Sequence, residues 1–226
     1  MKSAILLFLD HPLPLIAGLG PDDAPDPLAL ALVRDTLRGL ADLDADVFAF
    51  TEAETDKDNA RRVLGDAAKG LKITSPHGSS RQKRQRNAFR LAFARGYERV
   101  LLLPNAAPDL PVHVVQGALD WLNWKCCSLG PVPAVPGSED MDGVYALGFD
   151  FEGYTTDVLD LIDQDRPKTC ERMQNLLVFY ERKLKMLPPY SPVTSLDEAA
   201  ALAERCRDTR FARLPSVRLA AERAGL

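Results

Sequence analysis

Histidine and cysteine are scarce, with three and four in 226 residues. Cys126, Cys127, Cys170 and Cys206 form no CxxC pair, and the neighbours Cys126 and Cys127, read on a strand, point to opposite faces. That spacing argues against a zinc site. No GxSxG elbow occurs, and His77 stands beside Gly78 without a carboxylate or thiol neighbour, which argues against a nucleophilic triad. Long apolar runs are missing too. Met1-Lys2-Ser3 followed by Ala4 to Leu9 is too short for a signal peptide or a membrane span, and reads as a first strand. Nor is there an excess of positive charge. The net charge of −4 argues against a nucleic-acid partner. The one basic run, Arg81 to Arg86, has no interleaved aromatics and reads as a solvated helix face. These absences point to a cytoplasmic protein in a reducing compartment, its thiols buried as small apolar groups.

What is present is ordinary globular material. Apolar residues make up 46% and charged residues 27%, enough to bury a core in a chain of this length. Strand-like runs at Ala4–Leu9, Asp46–Thr51, Leu71–Thr74, Val100–Leu103, Lys125–Leu129 and Val144–Phe149 alternate with helical patterns. The helices are expected at Leu28–Ala41, Asp56–Lys69, Ser79–Arg95, Pro111–Trp124, Tyr154–Ile162, Thr169–Met186 and Ser195–Cys206. Gly18, Gly20, Pro21, Pro25 and Pro27 keep the segment after the first strand irregular, and Gly130 to Gly137 reads as a proline-rich loop. Ser195 with Glu198 three residues on forms a capping box. Alternation of this kind implies right-handed crossovers around a largely parallel sheet. The expectation is one α/β domain over residues 1–208, with a C-terminal extension, Thr209 to Leu226, that either docks or frays.

The stretch Val100-Leu101-Leu102-Leu103-Pro104-Asn105-Ala106-Ala107-Pro108-Asp109-Leu110-Pro111 reads as a buried strand, a polar turn and a helix start. Open α/β sheets bind ligands at such strand ends. This stretch resembles a strand of the type VLLIGTDCPDL. Asp142 to Gly148 resembles DGGYYLLGL, Leu187 to Glu198 resembles LPPLxDVDTPED, and Arg84 with Ala88-Phe89 fits a helix reading GERMxxAF. In that order and spacing, the motifs resemble a bacterial family of glycosyltransferase-A-like nucleotide-diphospho-sugar transferases, also known as radical-SAM/selenodomain-associated transferases. The resemblance covers Ala4 to about Ala203. It implies a Rossmann-like, mainly parallel sheet flanked by helices, a glycosyltransferase or nucleotidyltransferase activity, a nucleotide-sugar ligand, and a divalent cation, Mg²⁺ or Mn²⁺.

The residues that would hold that cation are changed. The family's acidic residue at the strand end falls on Ala106, and the second acidic position falls on Thr194, with Pro192 at its neighbour. The family's basic loop after the first strand corresponds here to Pro12 to Gly20, without its lysine and arginine. Mg²⁺ requires hard oxygen ligands, and transfer from a nucleotide diphosphate requires stabilisation of charge on phosphate oxygens. Two readings therefore stand: a transferase that departs from the family's metal chemistry, and a non-catalytic member serving binding or assembly. Among candidate ligand-binding residues, Arg84 reads as a surface charge or a phosphate contact. Asn105 reads as a turn residue or a weak ligand, and Asp109 as a helix cap or a ligand. Asp142 and Gly143 read as a tight turn or a sugar-side wall, and Tyr145 as packing or substrate stacking. The acidic trio Glu139, Asp140 and Asp142 is read as a solvated loop or a cation-recruiting patch. No catalytic residue and no oligomeric state follow from the sequence.

Overall fold

The computed structural model describes residues 1–10, 15, 23–135, 138–164 and 166–226. The first strand, β1 (Ser3–Phe8), is buried at every residue, as a strand covered on both faces must be. It pairs in parallel with β2 (Asp46–Phe50) on one side and β4 (Arg99–Leu103) on the other, and β3 (Lys72–Thr74) adds in parallel to β2. β6 (Met141–Asp150) runs antiparallel to both β4 and β5 (Cys126–Pro133), and β7 (Lys183–Met186) closes the edge in parallel with β5. The seven strands take the order β3-β2-β1-β4-β6-β5-β7. The sheet is thus mainly parallel, with β6 the reversed strand.

Helices cover both faces. On one, α3 (Arg81–Ala94), α5 (Asp157–Asp160) and α6 (Thr169–Phe179) pack on an aromatic-rich core of Phe48, Phe50, Phe89 and Phe149. On the other, α1 (Pro27–Leu40), α2 (Asp56–Leu64) and α4 (Val112–Trp121) cover Ile5, Leu7, Ala49 and Leu101. The stripe on α1 is divided: Val33, Leu37 and Leu40 face the sheet. Leu28 and Leu32 join a third cluster with α7 (Leu196–Cys206) and α8 (Pro215–Ala224). The extension after residue 208 therefore docks. Asp35 accepts a hydrogen bond from the Ser216 amide at 2.9 Å, and Arg223 reaches Asp26 at 2.5 Å.

Several elements differ from their sequence expectations; β6 begins at Met141, so Asp142 and Gly143 lie within a strand and not in a tight turn, and the helix expected over Asp56–Lys69 ends at Leu64. Gly130 to Pro133 continues β5 rather than forming a loop; register shifts at Gly130/Pro131 and Val132/Pro133 accommodate prolines that cannot donate to the ladder. The rest of that expected loop includes residues 136 and 137, which lie outside the described residues. The helix expected to run from Thr169 to Met186 ends at Phe179, Glu181 takes a left-handed φ of 55°, and Lys183 to Met186 becomes the edge strand. Lys-Leu-Lys-Met has weak strand propensity, so pairing with β5 decides its state. The helix expected over Tyr154–Ile162 is one turn, Asp157–Asp160.

Candidate functional site

The C-terminal ends of β1 and β4 meet the middle of β6, and a cavity of about 300 Å³ opens there. Phe8, Leu102 and Leu147 line it from the sheet, Arg81 and Gln85 from the start of α3, and Met173 from α6. Gln164, Thr169, Thr194 and Glu198 complete its polar lining. A second cavity, of about 540 Å³, lies beside it between α4, the 188–191 strap and α7, and Val132, Tyr145 and Glu198 border both. A larger space of about 640 Å³ lies near the N-terminal end of β2, against Ala45, Asp46 and Val47. That is the wrong end of a parallel strand for the ligand site of such a sheet.

The expected site residues are distributed around these cavities rather than gathered in one. Gly143 and Tyr145 lie on the wall of the first cavity. The Tyr145 ring meets Tyr190 edge-on at 5.3 Å, its hydroxyl donates to the Pro188 carbonyl at 3.0 Å, and burial pushes its pKa upward. Gly130 makes room for that ring, since a Cβ there would stand 2.6 Å from two ring carbons. The Asp142 carboxylate accepts a hydrogen bond from the Lys168 amide just ahead of α6, so it secures a helix entry.

Asp109 does not cap α4, whose N-cap Pro111 makes no side-chain bond. Instead it lines the second cavity and binds Arg205 of α7 through two contacts, 2.6 and 3.0 Å, and the Tyr190 hydroxyl at 2.6 Å. Burial opposes the charge on Arg205, but its bonds to Asp109 outweigh that and hold its pKa above the usual range. Burial, with Asp109 alongside, raises Tyr190 well above an ordinary tyrosine.

Arg84 is only 12% exposed and is paired with Asp10 at 2.6 Å and Glu52 at 3.1 Å, just past the ends of β1 and β2. Burial raises the Asp10 pKa despite the adjacent guanidinium. Arg84 thus stands past the strand ends with its charge already met by carboxylates, and it is not among the residues lining either cavity.

Asn105 is fully buried. Ala106 is fully buried as well, inside the cluster of Leu28, Leu32, Val193 and Leu202. Its carbonyl accepts from the Val193 amide at 3.0 Å, and the next amide, Ala107, donates to Thr36 of α1 at 2.8 Å. The turn after β4 is therefore pinned between α1 and the 188–194 strap. Thr194 donates from both its amide and its hydroxyl to the Glu198 carboxylate. An apolar pocket at Ala106 and an already bonded hydroxyl at Thr194 do not fit a hard divalent cation. Among the described residues no group of three or more His, Cys, Asp or Glu side chains is placed to hold one. Burial pushes the Cys127 and Cys206 thiols up to about 12, so neither is a thiolate nucleophile at neutral pH.

Pro12, Leu13 and Pro14, the start of the expected phosphate-side loop, and Ile16 to Gly20 lie outside the described residues. Gln85, Gln164 and Glu198 line the first cavity without having been expected as site residues from the sequence. Gln85 carried a signal: it falls three and four residues before the buried Ala88 and Phe89 on α3, so an amide was due on a buried face. Gln164 lies in a connection without periodicity and carried none.

The sheet order, with its single reversed strand, is that of a Rossmann-like α/β fold with a cavity at the β1/β4 ends. No family model and no curated protein matches the chain. Among solved structures, it is similar to a "putative nucleotide-diphospho-sugar transferase" from Desulfovibrio desulfuricans. That likeness has 25% identity and a TM-score of 0.79, and covers 100% of this chain and 96% of the other. It also shares its fold with a 4-diphosphocytidyl-2C-methyl-D-erythritol synthase from Anaerococcus prevotii (10% identity, TM-score 0.57, 87% and 92% covered). A cytidylyltransferase from Leptospira borgpetersenii aligns likewise (11% identity, TM-score 0.53, 99% and 94% covered). The chain has the nucleotide-diphospho-sugar transferase fold.

Proposed function

We propose that this protein binds a nucleotide-activated sugar at the C-terminal edge of β1, β4 and β6 and acts as a glycosyltransferase-like or nucleotidyltransferase-like protein. The observation that carries the reading is an open cavity of about 300 Å³ at the strand ends where this fold class binds ligands. Full-length likeness to the Desulfovibrio protein supports the nucleotide sugar as the substrate class.

Arg84 is the cation proposed to face the phosphates, with Asp10 and Glu52 holding it at the strand ends. Gly143 and Tyr145 contribute the wall, Asp109 and Asp142 act on the ligand through α7 and the start of α6, which they hold in place, and Asn105 is buried in the turn after β4. The carboxylate pair that would fix Mg²⁺ or Mn²⁺ on a diphosphate is not reproduced by Ala106 and Thr194, so binding is proposed not to depend on that ion. A cytoplasmic location belongs to the same proposal and rests on four free, buried cysteines. Among the described residues no helix is long and apolar enough to cross a membrane.

The test is a panel of UDP-, GDP-, CDP- and dTDP-sugars, read by thermal shift for binding and by phosphorus NMR for release of nucleotide or pyrophosphate. A stabilising donor that is also turned over in the presence of chelator supports the reading. Binding without turnover across the panel supports the binding-only alternative. Silence in both readouts at millimolar ligand overturns nucleotide-sugar binding.

A further inference from the structure

Arg34 interrupts the apolar stripe of α1, between the buried Val33 and Asp35, and is itself half-buried. Its Nη2 donates to the Val63 carbonyl in the last turn of α2 at 2.9 Å, and its Nε is buried without a hydrogen-bond partner. Gly65 turns the chain at the end of α2 with a φ of 57°, and a Cβ on it would stand 3.6 Å from Arg34 Nη2. The guanidinium therefore lies in the corner between α1 and the Gly65–Ala68 turn.

That corner borders the cavity of about 640 Å³ at the N-terminal end of β2. Half-buried Ala45, Val47, Ala67 and Leu71 give the cavity an aliphatic wall, backed by the buried Leu37 and Leu64. Its other charged groups are matched: Arg38 with Asp35 at 2.9 Å, Lys69 with Asp66 at 2.9 Å, and Asp46 with Lys72 at 2.6 Å. Arg34 is the exception. Among the described residues no carboxylate is shown within ion-pair distance of it, and its one hydrogen bond shown is to a neutral carbonyl. A half-buried cation without a counter-charge carries a desolvation cost that a bound anion would offset.

From this geometry we infer that the cavity is a second ligand site, for a small apolar monocarboxylate such as an aryl or medium-chain alkyl acid. It lies at the opposite end of the strands from the proposed nucleotide-sugar site and is independent of that reading. A carboxylate fits the planar fork of a guanidinium, and its hydrocarbon part covers the aliphatic wall. The volume falls in the ordinary range for small-molecule sites. One negative charge is all that the lining accepts. Asp46, Asp66 and the carbonyl end of α1 border the same space and oppose a dianion such as phosphate.

The test titrates the full chain with octanoate, phenylacetate, octanamide and inorganic phosphate by calorimetry, beside methyl-detected NMR of the wild type with octanoate. The acids should bind saturably at one site per chain, with octanamide and phosphate weaker by about tenfold or more. The methyl shifts should concentrate on Val47, Leu64 and Leu71. Arg34→Gln should weaken the acids by about tenfold to a hundredfold, as loss of a charge-assisted pair allows, and leave octanamide unchanged. Ala67→Phe, which fills the cavity, should weaken acid and amide alike. Melting curves check that each variant folds, and the wild-type shift map decides the site if one does not. Shifts at Leu102 and Leu147 instead, acid affinity unaltered in Arg34→Gln, or phosphate binding as tightly as the acids would overturn the assignment. So would the absence of saturable binding at millimolar acid.

Discussion

Ala106 and Asp109 stand three residues apart after β4 and show two uses of one turn. Ala106 is sealed beneath α1, α7 and α8. Asp109 anchors α7 through Arg205, and its side chain is 9% exposed against 31% for the arginine. Restoring a carboxylate by Ala106→Asp would bury a charge among leucines and valines. The expected result is a loss of about 2 kcal/mol or more of stability in urea unfolding, with no gain of metal-dependent turnover. Arg205→Ala should cost about 2–3 kcal/mol by the same measurement, because it leaves the Asp109 carboxylate without its main partner. The buried tyrosines add a pH effect. Tyr145, Tyr154 and Tyr190 all have folded pKa values above the ordinary 10.0, with burial as the leading cause. A raised folded pKa gives stability that is complete below the unfolded value and lost as pH climbs through the folded one. Unfolding free energy should therefore show no tyrosine-linked loss up to about pH 10 and fall above it, in step with phenolate absorbance. At this scale the sequence showed that Ala106 is not a ligand. It could not show that the site around it is closed, because closure comes from α1, α7 and α8, all distant from it in the chain.

At the scale of elements, local signals served where a segment decides its own state. Ser195 is the N-cap of α7 and accepts a hydrogen bond from the Glu198 amide at 3.2 Å, as the spacing of the two residues had indicated. The reciprocal contact differs: the Glu198 carboxylate takes the Thr194 amide and hydroxyl, one residue earlier than the Ser195 amide of a capping box. Ser195→Ala is expected to cost about 1 kcal/mol in denaturant unfolding. Signals failed where a partner decides. β7 owes its strand state to β5, and the prolines of β5 pair with β6 through register shifts that composition alone reads as a loop. Gly130 belongs to that irregular pair. Gly130→Ala should displace the Tyr145 ring, lower stability by about 1–3 kcal/mol and weaken ligand binding, since Tyr145 borders both cavities. A loss of stability with binding unchanged would separate the ring from the site.

For the whole molecule, alternation of strands and helices was enough for a mainly parallel α/β sheet, and the motifs around Val100–Pro111, Asp142–Gly148 and Leu187–Glu198 were enough for its class. All three segments do border the strand ends: Leu102 to Pro104, Gly143 to Leu147, and Pro192 with Glu198 line one cavity. The strand order and the reversal of β6 depend on pairings between distant segments, which periodicity does not encode. The polar interior of the cavity was hidden for the same reason, because Gln85 and Gln164 meet across 79 residues of chain. The proposed function has the β1/β4 edge hold a nucleotide sugar without the divalent cation for which Ala106 and Thr194 provide no ligands. Its most direct test is calorimetric titration of the nucleotide sugar that stabilises the protein best, once with Mg²⁺ and once with chelator. The expected result is saturable binding at one site per chain with affinities that agree within about threefold, a difference of less than 1 kcal/mol. Binding that appears only with Mg²⁺, or no binding in either buffer, would contradict it.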